Sequence, residues 1–373
     1  MAEPLHALHV FSTFLPAGPQ VRACLLMDAL GDAYRHTVVA TDNRTEAASL
    51  LRRAEARIVD WAPGSGPMSG ARFTRELLRD ERPDLLLTYN WGAMDAVIAA
   101  RAARFDQHVH HEDGFNADEK DGLKARRNWA RRVSLRSTDV VVPSENLARI
   151  ARRTWRLPRV HLVPNGIDAD RFARDEAAGR AFRAEHGIEE STLVIGAVGH
   201  LRPIKNLVRL VRAAAAAPFE APKDIALVIC GEGPERPAIE DAADEAKGRL
   251  RVVLPGHLAD LVPAYSAFDV LAISSDSEQQ PVSLLEAMAA GVPVAATGVG
   301  DVAVTLPAEA RAHVVPLGEH VERDLGLALA RLAADSELRT HLAELGRARV
   351  RESYSLEAMV AAYGELYARA AAR

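Results

Sequence analysis

The chain is poor in cysteine. Its 373 residues hold two, Cys24 and Cys230, far apart and each inside an apolar stretch. That spacing offers no thiolate metal motif, and both read as buried free thiols suited to a reducing cytoplasm. Long hydrophobic runs are missing as well. Nothing approaches about 18 uninterrupted apolar residues, so no transmembrane helix is expected. Residues 1–14 lack a basic segment followed by an apolar run, so no signal peptide is expected either. Positive charge is not in excess: the formal net charge is −5, which argues against general nucleic-acid binding. The charge is unevenly spread. Residues 1–165 carry 24 Lys and Arg against 20 Asp and Glu, whereas the remainder carries 22 against 31. The front half thus leaves room for an anionic partner. No short-period repeat or low-complexity tract stands out beyond Ala213–Ala217.

What the chain does have is length and alternation. At 373 residues, with 48% hydrophobic side chains, it exceeds what one core normally serves, so two domains are expected. Short apolar strands alternate with helical patterns, which argues for parallel sheets covered by helices. The pattern predicts strands near 8–11, 37–40, 56–60, 85–88, 107–111, 140–142 and 160–163. In the second half it predicts 193–198, 226–230, 251–254, 270–273, 293–296 and 313–315. The break falls after the turn-rich segment Val163-Pro164-Asn165-Gly166-Ile167-Asp168.

The densest chemistry lies at Ser275-Asp276-Ser277-Glu278-Gln279-Gln280-Pro281, followed by the helical run Val282 to Ala290 and Gly291-Val292-Pro293-Val294. Pro281 suits a helix start, where its fixed φ helps and its missing N–H matters little. Open N–H groups at Val282, Ser283 and Leu284, with the positive end of the helix dipole, suit a phosphate or pyrophosphate. Glu278 before that point and Glu286 within the helix could hold hydroxyls on either side of the phosphates. That is the chemistry of a nucleotide sugar.

This string resembles the Glu-x7-Glu signature of the retaining glycosyltransferases of family 4, with Glu-Ala-Met-Ala-x-Gly-x-Pro-Val intact at residues 286–294. The resemblance implies an α/β chain of two facing, doubly wound Rossmann-like domains with a cleft between them, the glycosyltransferase B fold. Residues 1–168 would form the acceptor-side domain and 169–354 the domain for the nucleotide sugar. The final helix, 355–373, would pack back on the first domain. The family places a cation pair after the strand ending at Val198. Lys205 matches it, while His200 stands at the arginine position and Arg202 two residues on. Histidine does not supply the planar, permanent charge of arginine. Gly18 remains of a commoner glycine pair near the donor, with Ala17 in the other place. The turns at Gly231 and at Leu258 would cradle the base through backbone atoms. Gln279 and Gln280 intervene where the family commonly has glycine, and would add sugar contacts or narrow the pocket.

In His108-Val109-His110-His111-Glu112-Asp113 the family's histidine beside the reacting sugar aligns with His111, or with His110, since period-two alternation exposes one of the two. The resemblance implies no metal ion and no cofactor beyond the sugar nucleotide. On the acceptor side, Asn90, Trp91 and Glu112 are candidates; Trp91 reads equally as a sugar platform or a core residue. Residues 120–136 hold seven Lys and Arg against Asp121, with Leu123, Trp129, Val133 and Leu135 between them. They read as a solvated helix or as one lying on an anionic bilayer. The function implied is transfer of a hexose-type sugar from a UDP- or GDP-sugar to a hydroxyl of a carbohydrate or lipid-linked acceptor in surface polysaccharide synthesis. Catalysis would rest on His111, Lys205 and Glu278, in the cytoplasm or at the inner face of its membrane. A noncatalytic sugar-nucleotide binder and a sugar-nucleotide epimerase are the alternatives.

Overall fold

A parallel strand covered by helices on both faces needs apolar residues at nearly every position. Leu85–Tyr89 and Ile225–Cys230 have this pattern and are buried from end to end. The computed structural model describes residues 3–66, 68–114, 124–220 and 224–373. Among these, the first sheet contains β1 (Leu5–Phe11), β2 (Tyr34–Ala40), β3 (Ala56–Ile58), β4 (Leu85–Tyr89), β5 (His108–His111), β6 (Asp139–Val142) and β7 (Val160–Leu162). The second contains β8 (Leu193–Val198), β9 (Ile225–Cys230), β10 (Arg251–Gly256), β11 (Val270–Ile273), β12 (Val294–Thr297) and β13 (Val314–Val315). Every expected strand forms. β1 and β2 begin earlier than expected because His6 and His36 lie inside them, buried and hydrogen-bonded.

All strand pairs are parallel, in the orders β3-β2-β1-β4-β5-β6-β7 and β10-β9-β8-β11-β12-β13. Each order reverses once, between β1 and β4 in the first sheet and between β8 and β11 in the second. At such a reversal the loops leaving the two strands diverge and open a crevice at their carboxyl ends, where ligands of open α/β sheets bind. One compact unit comprises Met1–Asn165 and Glu357–Arg373, the other Gly166–Leu356. The helix Leu356–Ala371 supplies Tyr363 and Tyr367 to the first unit, and both rings pack on His111 of β5. Cys24 and Cys230 are unpaired and buried, and burial pushes both thiols up to about 12. No helix of the described residues is long and apolar enough to cross a membrane.

Candidate functional site

The reversal point of the second unit brings Lys205 and Glu278 together. Lys205 ends a short 3-10 turn, Pro203–Lys205, in the loop leaving β8, and Glu278 lies in the loop leaving β11. Their side chains meet with Nζ 2.5 Å from Oε1, at 25% and 12% exposure. The two loops are also tied through the backbone. Asp276 N–H donates to the carbonyl of Ile204, and Arg209 forms an ion pair with the Asp276 carboxylate at 2.7 Å. A cation and an acid are thus held at the carboxyl edge of the sheet, still partly open to solvent.

Beside them starts the helix Val282–Ala290. Pro281 precedes it with φ −67°, and no side chain of the described residues caps it. The Leu284 N–H turns back to the Pro281 carbonyl at 3.1 Å, so the donors and positive potential this start offers to an anion come from the N–H groups of Val282 and Ser283. Val282 and Ser283 are half-buried and Leu284 is buried. One turn on, Glu286 accepts a hydrogen bond from the Tyr265 hydroxyl at 2.7 Å. Burial raises the Glu286 carboxyl above the ordinary range, opposed by that hydrogen bond and by Arg171. Sequence reading did not find Tyr265, which lies 21 residues away on another helix.

Gln279 and Gln280, expected to add sugar contacts or to narrow the pocket, are both buried. Gly300 and Asp301 pack against this stretch, with Asp301 N–H donating to the Gln279 carbonyl. Arg202 is exposed, and the neighbouring His200 titrates below its usual range through partial burial and the Arg202 charge. That shift favours the neutral imidazole, so the loop's cations are Lys205 and Arg202.

The ends of β8, β9 and β10 come close enough to require glycine. Gly231 has φ +142°, and a Cβ there would lie 2.0 Å from the Gly199 carbonyl oxygen. Its N–H donates to the Gly256 carbonyl. Leu258, just beyond β10, is partly buried against the unit's core.

In the first unit the polar candidates lie differently. His111 is fully buried, its Nε2 2.7 Å from the Tyr367 hydroxyl and its Nδ1 3.2 Å from the Thr88 carbonyl. His110 is equally buried. The expectation that alternation exposes one of them is overturned, because both faces of β5 are covered. Glu112 is likewise enclosed and faces Arg131, Oε2 to Nε at 2.9 Å and Oε1 to Nη2 at 3.2 Å. Burial would raise its carboxyl, but His110 and Arg131 outweigh that and hold it below the ordinary range. This glutamate belongs to the interior rather than to an acceptor surface. Trp91 is half-buried, with the guanidinium groups of Arg127 and Arg131 each 5.1 Å from its ring centre. Asn90 orients the end of β5 by accepting the Asp113 N–H on its side chain at 2.7 Å. Gly18 opens the helix Gly18–Leu30, and a Cβ there would meet nothing within 4 Å.

Arg22 and Asp113 escaped the sequence reading. They form a buried ion pair of 2.6 Å at the carboxyl end of β5, and Arg22 also donates to Asn165. Among the described residues the second carboxylate oxygen of Asp113 is buried without a hydrogen-bond partner. Phe115, Lys120, Asp121 and Leu123 lie outside the described residues. On the helix Ala125–Ser134 Arg127 and Arg131 turn to Trp91, while Arg126, Arg132, Val133 and Trp129, the last 67% exposed, face outward, as does Arg136 just beyond the helix. Among the described residues no group of three or more His, Cys, Asp or Glu gathers as metal ligands.

Residues 180–349 match the model of the glycosyl transferases group 1, and residues 16–171 match that of glycosyltransferase family 4. Over 218 residues the chain is 33% identical to a D-inositol 3-phosphate glycosyltransferase of Corynebacterium jeikeium, which covers 56% of this chain and 51% of that one. The chain thus spans about half the length of that relative. Over 368 residues it is 29% identical to the enzyme of the same name from Salinispora arenicola, covering 84% of this chain and 80% of that one. In fold it is similar to Anabaena Alr3699/HepE, solved in complex with UDP and glucose, with a TM-score of 0.82, 15% identity, and coverage of 98% of this chain and 100% of that one.

Proposed function

The chain belongs to the group 1 glycosyltransferases of family 4, and from that premise we propose that it moves a hexose-type sugar from a UDP- or GDP-sugar to an acceptor hydroxyl with retention of configuration. The observation that carries this reading is the Lys205–Glu278 pair at the reversal point between β8 and β11, beside the uncapped helix start at Val282. The bond from the sugar's anomeric carbon to the diphosphate breaks, and negative charge grows on the departing oxygen. Lys205, Arg202 and the N–H groups of Val282 and Ser283 at the helix start stabilise that charge. Preorganised donors of this kind are worth roughly 3–4 kcal/mol each. The acceptor oxygen bonds to the anomeric carbon on the face the diphosphate leaves, and its proton passes to the departing phosphate oxygen. No protein base is needed for that transfer, nor a resident metal ion. Glu278 accepts hydrogen bonds from sugar hydroxyls, and Glu286, steadied by Tyr265, accepts from the ribose.

The acceptor we propose is a carbohydrate or glycolipid of surface polysaccharide synthesis, met at the cytoplasmic face of a membrane. The outward stripe of Arg126, Trp129, Arg132, Val133 and Arg136 supports this, since arginines around an exposed aromatic suit anionic headgroups. Co-sedimentation with phosphatidylglycerol vesicles should be lost in Trp129→Ala with Arg132→Glu; binding that survives both changes removes the membrane from the proposal. The donor site is tested by thermal stabilisation with UDP, GDP, ADP and their common sugar derivatives. One nucleotide series should raise the melting temperature, and Lys205→Ala should abolish the shift. No shift with any of them overturns the donor assignment.

A further inference from the structure

The loop that leaves β11 begins with two consecutive serines, and each grips one half of the Lys205–Glu278 pair. Ser274 Oγ donates to the backbone carbonyl of Lys205 at 2.9 Å. Ser275 Oγ donates to Glu278 Oε1 at 2.7 Å, the same oxygen that receives Lys205 Nζ. Both serines are about 1% exposed. Their backbones are anchored in turn. Thr297, at the end of β12, donates its hydroxyl to the Ser275 carbonyl at 2.7 Å, and Arg209 donates to the Ser274 carbonyl at 3.0 Å. Glu278 Oε1 thus carries two donors, while Oε2 has no hydrogen-bond partner among the described residues.

We propose that Ser275 is a positioning residue: it fixes the Glu278 carboxylate so that Oε1 is saturated inside the protein and Oε2 is presented to a hydroxyl of the donor sugar. Ser274 does the corresponding work for the backbone of Lys205. This rests on the donor reading above and adds to it a division of labour between the two carboxylate oxygens. The physical reason is the difference between the two donors on Oε1. An ammonium has three N–H bonds, so Lys205 can turn toward an arriving diphosphate. A serine hydroxyl has one, and Ser275 commits it to Glu278. When Lys205 shifts its weight to the phosphates, the serine keeps the carboxylate aimed.

The test is calorimetric titration of wild type, Ser275→Ala and Ser275→Cys with UDP, UDP-glucose, GDP and GDP-mannose. In the series that binds, Ser275→Ala should weaken the sugar nucleotide about tenfold, the size expected for one hydrogen bond to a charged group. The bare diphosphate should change less than about twofold, because it does not touch Oε2. Ser275→Cys, a weaker donor of similar shape, should fall between. In a Glu278→Ala background, Ser275→Ala should change neither affinity, since the carboxylate it serves is gone. Equal weakening of diphosphate and sugar nucleotide, or a further loss in the Glu278→Ala background, would show a merely structural role and overturn the proposal. Unchanged sugar-nucleotide affinity in Ser275→Ala overturns it while leaving the donor reading intact. Failure of wild type to bind any of the four ligands overturns both.

Discussion

The two units share a strand order and differ in where they keep their polar side chains. In the first, β5 is His108-Val109-His110-His111, buried throughout, and His6, His9 and His36 sit inside β1 and β2. These rings bond to one another and to Thr37, Tyr89, Thr88 and Tyr367. In the second unit the central strands are apolar, and the charged groups wait in the loops beyond the strand ends. A polar residue within a doubly covered strand is satisfied by the interior and becomes part of the core. The same residue a few positions past the strand end, at the point where the order reverses, remains available to a ligand.

Acidification should break the symmetry most strongly. Burial lowers the pKa of His36 to about 4 and of His108 to about 3 from the usual 6.5, with neighbouring histidines adding to the effect. Burial likewise depresses His9 and His111 well below that value. A histidine kept neutral by folding binds fewer protons than the unfolded chain does, so stability is present above pH 6.5 and drains away as pH falls toward the folded value. At pH 5.5 His36 and His108 each cost on the order of 1 kcal/mol of stability, and His9 and His111 add to the loss in the same direction. Hydrogen exchange followed from pH 7.5 to 5.5 should show the first unit opening while the second stays protected. In the second unit, among the six histidines of residues 166–356, only His313 is buried to this degree. Simultaneous opening of both units would remove the contrast.

Paired truncations sharpen it. Glu112→Ala leaves the Arg131 guanidinium in the interior without its carboxylate, and loss of one partner of a buried pair typically removes about 3–5 kcal/mol. Chemical denaturation should register that loss, with the nucleotide affinity of the surviving fold unchanged. Lys205→Ala should do the reverse. Its pair with Glu278 is partly exposed and contributes little to stability, so the melting temperature should hold. Transfer activity should fall about 100- to 1,000-fold, the loss typical of one electrostatic donor to a transition state. A Lys205→Ala protein that unfolds early, or a Glu112→Ala protein that is stable but cannot bind nucleotide, would invert the assignment of the two units.

The same contrast explains what the sequence made legible. Strand positions followed from apolar runs, because a doubly covered parallel strand has little freedom in composition; β1 and β2 were shortened in the reading because His6 and His36 do not look like core residues. Lys205 and Glu278 could be proposed from the sequence because the family resemblance runs through contiguous motifs, the loop after β8 and the stretch leading into the Pro281 helix start. Pairings across long separations could not. Arg22 with Asn165 spans 143 residues, and Tyr265 with Glu286 spans 21. His111 was placed at a surface by an alternation rule that holds when one face of a sheet meets solvent. Here neither face does.

The smallest expected effect concerns glycine, and it separates structural need from ligand need. Gly231→Ala should destabilise the second unit by about 1–3 kcal/mol, since its φ of +142° disfavours a side chain and the new Cβ would meet the Gly199 carbonyl. Gly18 carries no such demand: it opens a helix with room for a Cβ on every side. Gly18→Ala should therefore leave stability unchanged or raise it by about 0.4–1 kcal/mol through the lower entropy of the unfolded chain. Thermal melting and steady-state kinetics on this one variant decide between two origins for the glycine. A stable variant with undiminished transfer makes Gly18 an ordinary strand-to-helix residue. A stable variant whose KM for donor or acceptor rises assigns it to close backbone approach by a ligand, because the fold itself leaves the space beside it empty.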